Sequence, residues 1–159
     1  MQYIVSEIHT LLLKRRKTLA VAESCTGGLV SKLLTDIPAS SKYFTLGIVT
    51  YSNKAKEIIL KIPHSIIVKY GAVSYKVAQR MSQSVRKLMK TDIGIGISGI
   101  AGPIGGTLHK PVGTVFIAID SKNNKICKKF HFSGNRAAVR TKTAIKSLQL
   151  LKQFVSAKL

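Results

Sequence analysis

Ile93-Gly94-Ile95-Gly96-Ile97 and Phe116-Ile117-Ala118-Ile119 are short apolar runs without polar alternation. A strand of that kind is covered on both faces, which places helices on either side of a sheet. Working outward, further strands are read at 18–22, 43–51, 92–98, 112–120 and 125–132. Ser121-Lys122-Asn123-Asn124 reads as the hairpin turn between the last two. Helices are expected at 2–16, 26–35, near 53–60 and 64–70, at 74–90 and at 135–156, with a loop at 99–111. Ser74 is a natural N-cap for the long helix, whose Val77, Met81, Val85 and Leu88 make one stripe. Ala137, Ala144, Leu148, Leu151 and Val155 make another in the last helix, and Ile4, Val5, Ile8, Leu11 and Leu12 in the first. Strands alternating with helices, plus one hairpin, imply a mixed α/β sheet with helices on both faces.

The chain has 159 residues, 45% of them apolar, which suits one domain with its own core. Two cysteines, Cys25 and Cys127, make neither a disulfide framework nor a zinc cluster, and a reducing compartment fits them best. No apolar run reaches the ~20 residues that span a bilayer, and the first residues lack the order of a signal peptide. The expectation is a cytoplasmic protein without a membrane partner. The 26 basic and 6 acidic residues give a net charge of +20. Nucleic-acid binding is one explanation. The other is a lysine-rich background, favoured because 20 of the 26 are Lys and no basic block exceeds Lys14-Arg15-Arg16-Lys17.

Three segments offer chemistry. Ala22-Glu23-Ser24-Cys25-Thr26-Gly27-Gly28 joins a strand to a helix, where N–H groups converge and negative charge is favoured. Ser24 there reads equally as a nucleophile beside an oxyanion hole and, like Thr26, as a helix cap. Cys25 reads as a packed thiol. Thr50-Tyr51-Ser52-Asn53-Lys54-Ala55-Lys56 joins another strand to a helix, so Tyr51 and Lys56 can face one pocket. On spacing alone Lys56 is a solvated helix lysine and Tyr51 a packed ring. A lysine serves as base only if its pKa falls from ~10.4 toward neutrality. Ser98-Gly99-Ile100-Ala101-Gly102-Pro103-Ile104-Gly105-Gly106, running on to Lys110-Pro111-Val112-Gly113-Thr114, is a glycine-rich loop after a strand end, suited to meeting a ligand. The four histidines make no metal-ligand spacing, and six carboxylates leave little room for an acid pair. Hydrolysis would therefore need a Ser–Lys or Ser–Tyr–Lys arrangement.

These residues resemble the CinA C-terminal domain family, the nicotinamide mononucleotide amidohydrolases. The resemblance rests on Ala22–Gly28, Thr35-Asp36-Ile37-Pro38 with Ser40-Ser41, Thr50–Asn53 with Lys56, Gly71-Ala72-Val73-Ser74, Ser98–Pro103 with Gly105-Gly106, and Lys110–Thr114. It implies a single three-layer α/β/α sandwich over 1–159 that self-associates and hydrolyses nicotinamide mononucleotide to nicotinic acid mononucleotide and ammonia. The chain resembles the stand-alone form, without the larger N-terminal domain some members carry. The resemblance also implies Ser24 as nucleophile, Lys56 as base and Tyr51 beside them, with no metal or cofactor. Substrate contacts are expected from Cys25, Thr26, Gly27, Gly28, Asn53, Gly102, Gly105 and Gly106, with Thr107, Arg136 and Arg140 as candidates for the phosphate. The family usually has Glu at Lys54, Asp at Asn135, and Gly or a polar residue at Ile104. Lys54 in place of that Glu has two expected effects, a lower Lys56 pKa from its charge or the loss of a partner that orients the helix. The alternatives are a non-catalytic nucleic-acid-binding module on this fold and an amidase for another carboxamide.

Overall fold

A computed structural model describes residues 2–157; the ends of the expected 1–159 domain lie outside it. The elements are α1 (Gln2–Lys14), β1 (Leu19–Glu23), α2 (Leu29–Thr35), a 3-10 turn (Ser40–Lys42), β2 (Phe44–Val49), α3 (Asn53–Leu60), α4 (His64–Tyr70), α5 (Tyr75–Met89), β3 (Ile93–Gly99), β4 (Thr114–Ser121), β5 (Lys125–His131) and α6 (Arg136–Ser156). The sheet order is β2-β1-β3-β4-β5. β1 runs parallel to β2 and β3, and the β3–β4 and β4–β5 pairs are antiparallel.

The sheet has a helical layer on each face. One core joins Leu19, Val21, Ile95, Ile97 and Ile117 to side chains of α1, α2 and α6. The other joins Ala20 and Ala22 to Leu60, Ile67, Val77, Met81 and Val85 from α3, α4 and α5. This is the α/β/α sandwich with a mixed sheet, in one domain. β3 and β4 are buried almost throughout, as their unbroken apolar runs require. The outer strand β2 alternates half-buried and exposed residues.

Three expectations change. The helix read as 26–35 begins at Leu29, because Gly27 (φ 60°) and Gly28 (φ 92°) hold left-handed turns before it. Leu88 leaves the α5 stripe and is exposed, while Met89, four residues after Val85, takes the inward place. Ala137 is exposed in the first turn of α6, and its stripe starts at Val139. Ser74 does cap α5, accepting from the Val77 N–H at 3.3 Å, and Ser121 and Asn124 close the β4–β5 turn.

β3 lies so close to α5 that a Cβ at Gly96 would stand 2.3 Å from the Ala78 carbonyl oxygen, and one at Gly94 2.2 Å from that of Ser82. Both obstacles are backbone, so neither yields by a rotamer change. Gly96→Ala is therefore expected to lower unfolding free energy by about 2–3 kcal/mol or more, read by denaturant titration. Unchanged stability would mean that the helix–strand spacing is looser than this.

Candidate active site

The chain leaves β1 and β3 at neighbouring carboxyl ends, then turns opposite ways: β1 leads to β2, and β3 to β4 on the other side. Such a divergence opens a crevice where α/β sheets bind ligands. A cavity of about 180 Å³ lies there, lined by Ser24 and Cys25 after β1, Tyr51, Asn53 and Lys56 after β2, and Ser98, Gly99 and Ala101 at the end of β3. Ala72, Val73 and Arg136 complete it. An adjoining cleft of about 480 Å³ shares Tyr51, Gly99, Ala101 and Arg136 and extends along the glycine loop to Gly105.

Lys56 is at the centre. It is 1% exposed, although it sits on α3 among exposed neighbours. Ser52 caps α3 by accepting from the Ala55 N–H, which sets the helix so that Lys56 points inward. Its Nζ lies 2.7 Å from the Thr50 carbonyl oxygen, 3.2 Å from that of Tyr51 and 3.1 Å from Ser24 Oγ. Two of these partners can only accept. They fix two N–H bonds, so the third tetrahedral position of the nitrogen faces Ser24. In the ammonium form that position holds a proton; in the neutral amine it holds the lone pair, ready to take the hydroxyl proton. Burial lowers the Lys56 pKa to about 8. Lys54 is exposed and has no part in that shift, contrary to the expectation drawn from its charge. The Cys25 thiol, pushed up to about 12 by burial, stays neutral beside the pair.

Neither Ser24 nor Thr26 caps α2. Glu23 does so from inside the protein. Its carboxylate is fully buried and accepts from the N–H groups of Gly28, Val30 and Ser31 and from the Ser31 hydroxyl, at 2.6–3.2 Å. A carboxylate at a helix N-terminus is favoured by the helix dipole as well as by these bonds. The residue before Ser24 is thus locked to α2, and the turn carrying Ser24 is held between β1 and that helix. Glu23 was not among the expected site residues. Its signal was its position: one of only six acids, placed between an apolar strand and a glycine-initiated helix.

The expected contacts divide. Ser24, Cys25, Tyr51, Asn53, Lys56 and Arg136 meet in the cavity, and Gly102 and Gly105 border the adjoining cleft. Thr26, Gly27, Gly28, Gly106, Thr107 and Arg140 line neither. The Gly28 N–H goes to Glu23 and the Gly27 N–H to the Ser24 carbonyl. Thr107 Oγ1 closes a turn with the Lys110 N–H. Arg140 grips the Thr26 carbonyl oxygen with two donors, at 2.8 and 3.2 Å, and so braces the Ser24 turn from behind. Arg136 opens α6, whose N-cap Asn135 accepts from the Ala138 N–H. Its guanidinium spans 2.6 Å to Tyr51 Oη and 2.8 Å to the Gly102 carbonyl oxygen. That bridge holds the Tyr51 ring, which is 57% exposed rather than packed, over the mouth. Lys110 adds a tie not foreseen, its Nζ donating to the Tyr70 carbonyl at 2.9 Å.

Residues 1–155 match the family model for the CinA C-terminal domain. A CinA-like protein of Syntrophus aciditrophicus (strain SB) is 48% identical over 151 residues, which are 94% of this chain and 36% of that protein. The chain thus spans about a third of the length of the curated relatives it matches. Among solved structures, competence damage-inducible protein A of Klebsiella pneumoniae superposes with a TM-score of 0.95 at 30% identity, covering 99% of this chain and 98% of that one. The competence/damage inducible protein CihA of Agrobacterium tumefaciens superposes at 0.93 and 31% identity, over 98% and 94%. The fold and site define an α/β domain of the CinA superfamily type. The chain belongs to the CinA C-terminal domain family.

Two outcomes test this geometry. Removing the Glu23 carboxylate strands three N–H groups at the head of α2, so Glu23→Ala should cost roughly 3 kcal/mol or more in a denaturant titration; a loss well under 1 kcal/mol would deny it the capping role. Lys56 holds its proton less tightly folded than unfolded. Between its folded value of about 8 and its ordinary 10.5, the unfolded chain therefore binds more protons and stability rises with pH. Relative to Lys56→Met, the parent should gain stability between about pH 8 and pH 10.5. A constant gap between the two would place the Lys56 pKa near its ordinary value.

Proposed function

We propose that this domain is a hydrolase that removes ammonia from the carboxamide of nicotinamide mononucleotide, leaving nicotinic acid mononucleotide. The observation that carries the chemistry is the buried Lys56 amine, 3.1 Å from Ser24 Oγ, with its other two directions taken by backbone carbonyls. The choice of carboxamide rests on the family resemblance.

Neutral Lys56 accepts the hydroxyl proton as Ser24 Oγ bonds to the carboxamide carbon. The N–H groups of Gly27 and Gly28 are already engaged, which leaves those of Cys25 and Thr26 for the oxyanion. The tetrahedral intermediate collapses with breakage of the C–N bond, and the Lys56 ammonium returns its proton to the departing nitrogen. Ammonia leaves and an acyl–Ser24 ester remains. Water then attacks that ester, giving its proton to Lys56, and the acid is released as Ser24 regains a hydrogen. The ring and carboxamide fill the cavity at Ser24. The sugar phosphate extends along the loop toward Gly102 and Gly105, within reach of Arg136. The exposed Ile58, Ile59 and Val68 on α3 and α4 support self-association.

Purified protein should release ammonia from nicotinamide mononucleotide. Ser24→Ala should abolish turnover and Lys56→Ala lower it at least about a hundredfold. In the parent, kcat/KM should climb about tenfold per pH unit and level off above about 8, where Lys56 is neutral. Near-normal turnover by folded Ser24→Ala would refute the acyl-enzyme. Release of ammonia from other carboxamides, but not this one, would move the substrate and keep the chemistry.

A further inference from the structure

All six carboxylates of the chain are engaged. Glu7, Asp36, Asp92 and Asp120 pair with Lys152, Lys32, Lys17 and Arg86, Glu57 meets His64, and Glu23 caps α2. The other basic residues therefore have no acidic partner among the described residues. Some are used elsewhere, as Lys56, Lys110, Lys142, Arg136 and Arg140 are by backbone carbonyls. Four exposed lysines make no side-chain hydrogen bond and lie around one depression: Lys87 and Lys90 at the end of α5, and Lys122 and Lys125 at the β4–β5 turn.

A groove of about 580 Å³ runs between the end of α5 and the hairpin and contains Gln83, Asn123 and Asn124 beside the lysines. It continues into a second hollow of about 220 Å³ through shared Arg86, Ser121, Lys122 and Asn123, adding Lys17 and Lys90. The two acids in its floor, Asp92 and Asp120, are neutralised by Lys17 and Arg86. The groove lies at the opposite end of β3 from Ser24. Asp92 borders it and Gly99 borders the catalytic cavity, and the seven residues of β3 separate them by roughly 20 Å. The helix dipole accounts for a preference for Lys87 and Lys90 at the end of α5, but not for Lys122 and Lys125 on the facing turn.

We propose that this groove binds nucleic acid through its phosphate backbone, independently of the catalytic site. Its chemistry selects among polyanions. Not one apolar side chain lines either hollow, so there is nothing to insert into a lipid surface or to form the apolar centre of a protein interface. No aromatic ring lines it either, so bases are not stacked on it. Lysines act on phosphates as point charges, and the Gln and Asn amides can pair with sugars and base edges. Spread along two rims, the four lysines suit a repeated charge better than a single small anion.

The test is fluorescence anisotropy with a labelled oligodeoxythymidine of about 20 nucleotides. Four phosphate contacts on a single strand give a slope of roughly −3 in log affinity against log salt, about a fifty-fold loss between 50 and 200 mM. Lys122→Glu/Lys125→Glu should weaken binding at least about tenfold more than Lys14→Glu/Lys42→Glu, a change of equal charge at exposed lysines outside the groove. Lys87→Ala/Lys90→Ala, made separately, should flatten the salt slope by about 1.4. Catalytic turnover should be unchanged in every variant. Equal weakening by the two charge-matched pairs would assign binding to diffuse charge and overturn the proposal. So would an absence of binding at 50 mM salt, or binding to vesicles containing about 30% phosphatidylserine but not to the oligonucleotide.

Discussion

An amine buried against a hydroxyl is the constraint on which the rest of this molecule turns. A lysine taken out of water loses its preference for charge, and burial here lowers the Lys56 pKa while two backbone carbonyls still accept its protons. The balance leaves Lys56 near the pH at which it can take a proton and give it back. Each nearby element serves that position. The Ser52 cap sets α3, the end of β2 supplies the carbonyls, and Glu23 and Arg140 fix the turn that presents Ser24 from either side. Ser52, Glu23 and Arg140 line neither the cavity nor the adjoining cleft, so they act through Ser24 and Lys56.

Much of the fold was open to reading because burial leaves a periodic trace. The unbroken runs of β3 and β4 announced a sheet covered on both sides, and the Ser121–Asn124 turn fixed their antiparallel continuation. What misled was local. Leu88 fits the helical period of α5, yet the helix gives the inward place to Met89. Gly27 and Gly28 look like the opening of a helix but adopt conformations that postpone it.

The site was less legible, and the reason is physical. Spacing tells that Tyr51 and Lys56 share a strand-to-helix turn, not which of them is buried. On spacing alone the lysine reads as solvated and the tyrosine as packed, the reverse of what the fold does. Elimination of other hydrolytic groups allowed a lysine base, and the resemblance assigned that role to Lys56. Glu23 escaped notice because a capping carboxylate usually lies at the cap itself, whereas this one reaches α2 from the preceding strand. Net charge gave no location either. The cations are scattered along the chain, and it is the folding of α5 beside the β4–β5 hairpin that gathers Lys87, Lys90, Lys122 and Lys125. The two ends of the sheet thus carry different chemistry, a buried neutralisable amine at one and solvated fixed charge at the other.

The most direct test of the account is the pKa of Lys56 itself. Lysines labelled with carbon-13 at the ε position can be titrated by NMR, with Lys56→Met assigning the signal. The account predicts that the Lys56 signal titrates near 8. A Lys56 signal titrating near its ordinary 10.5 would contradict it and leave Ser24 without a base at neutral pH.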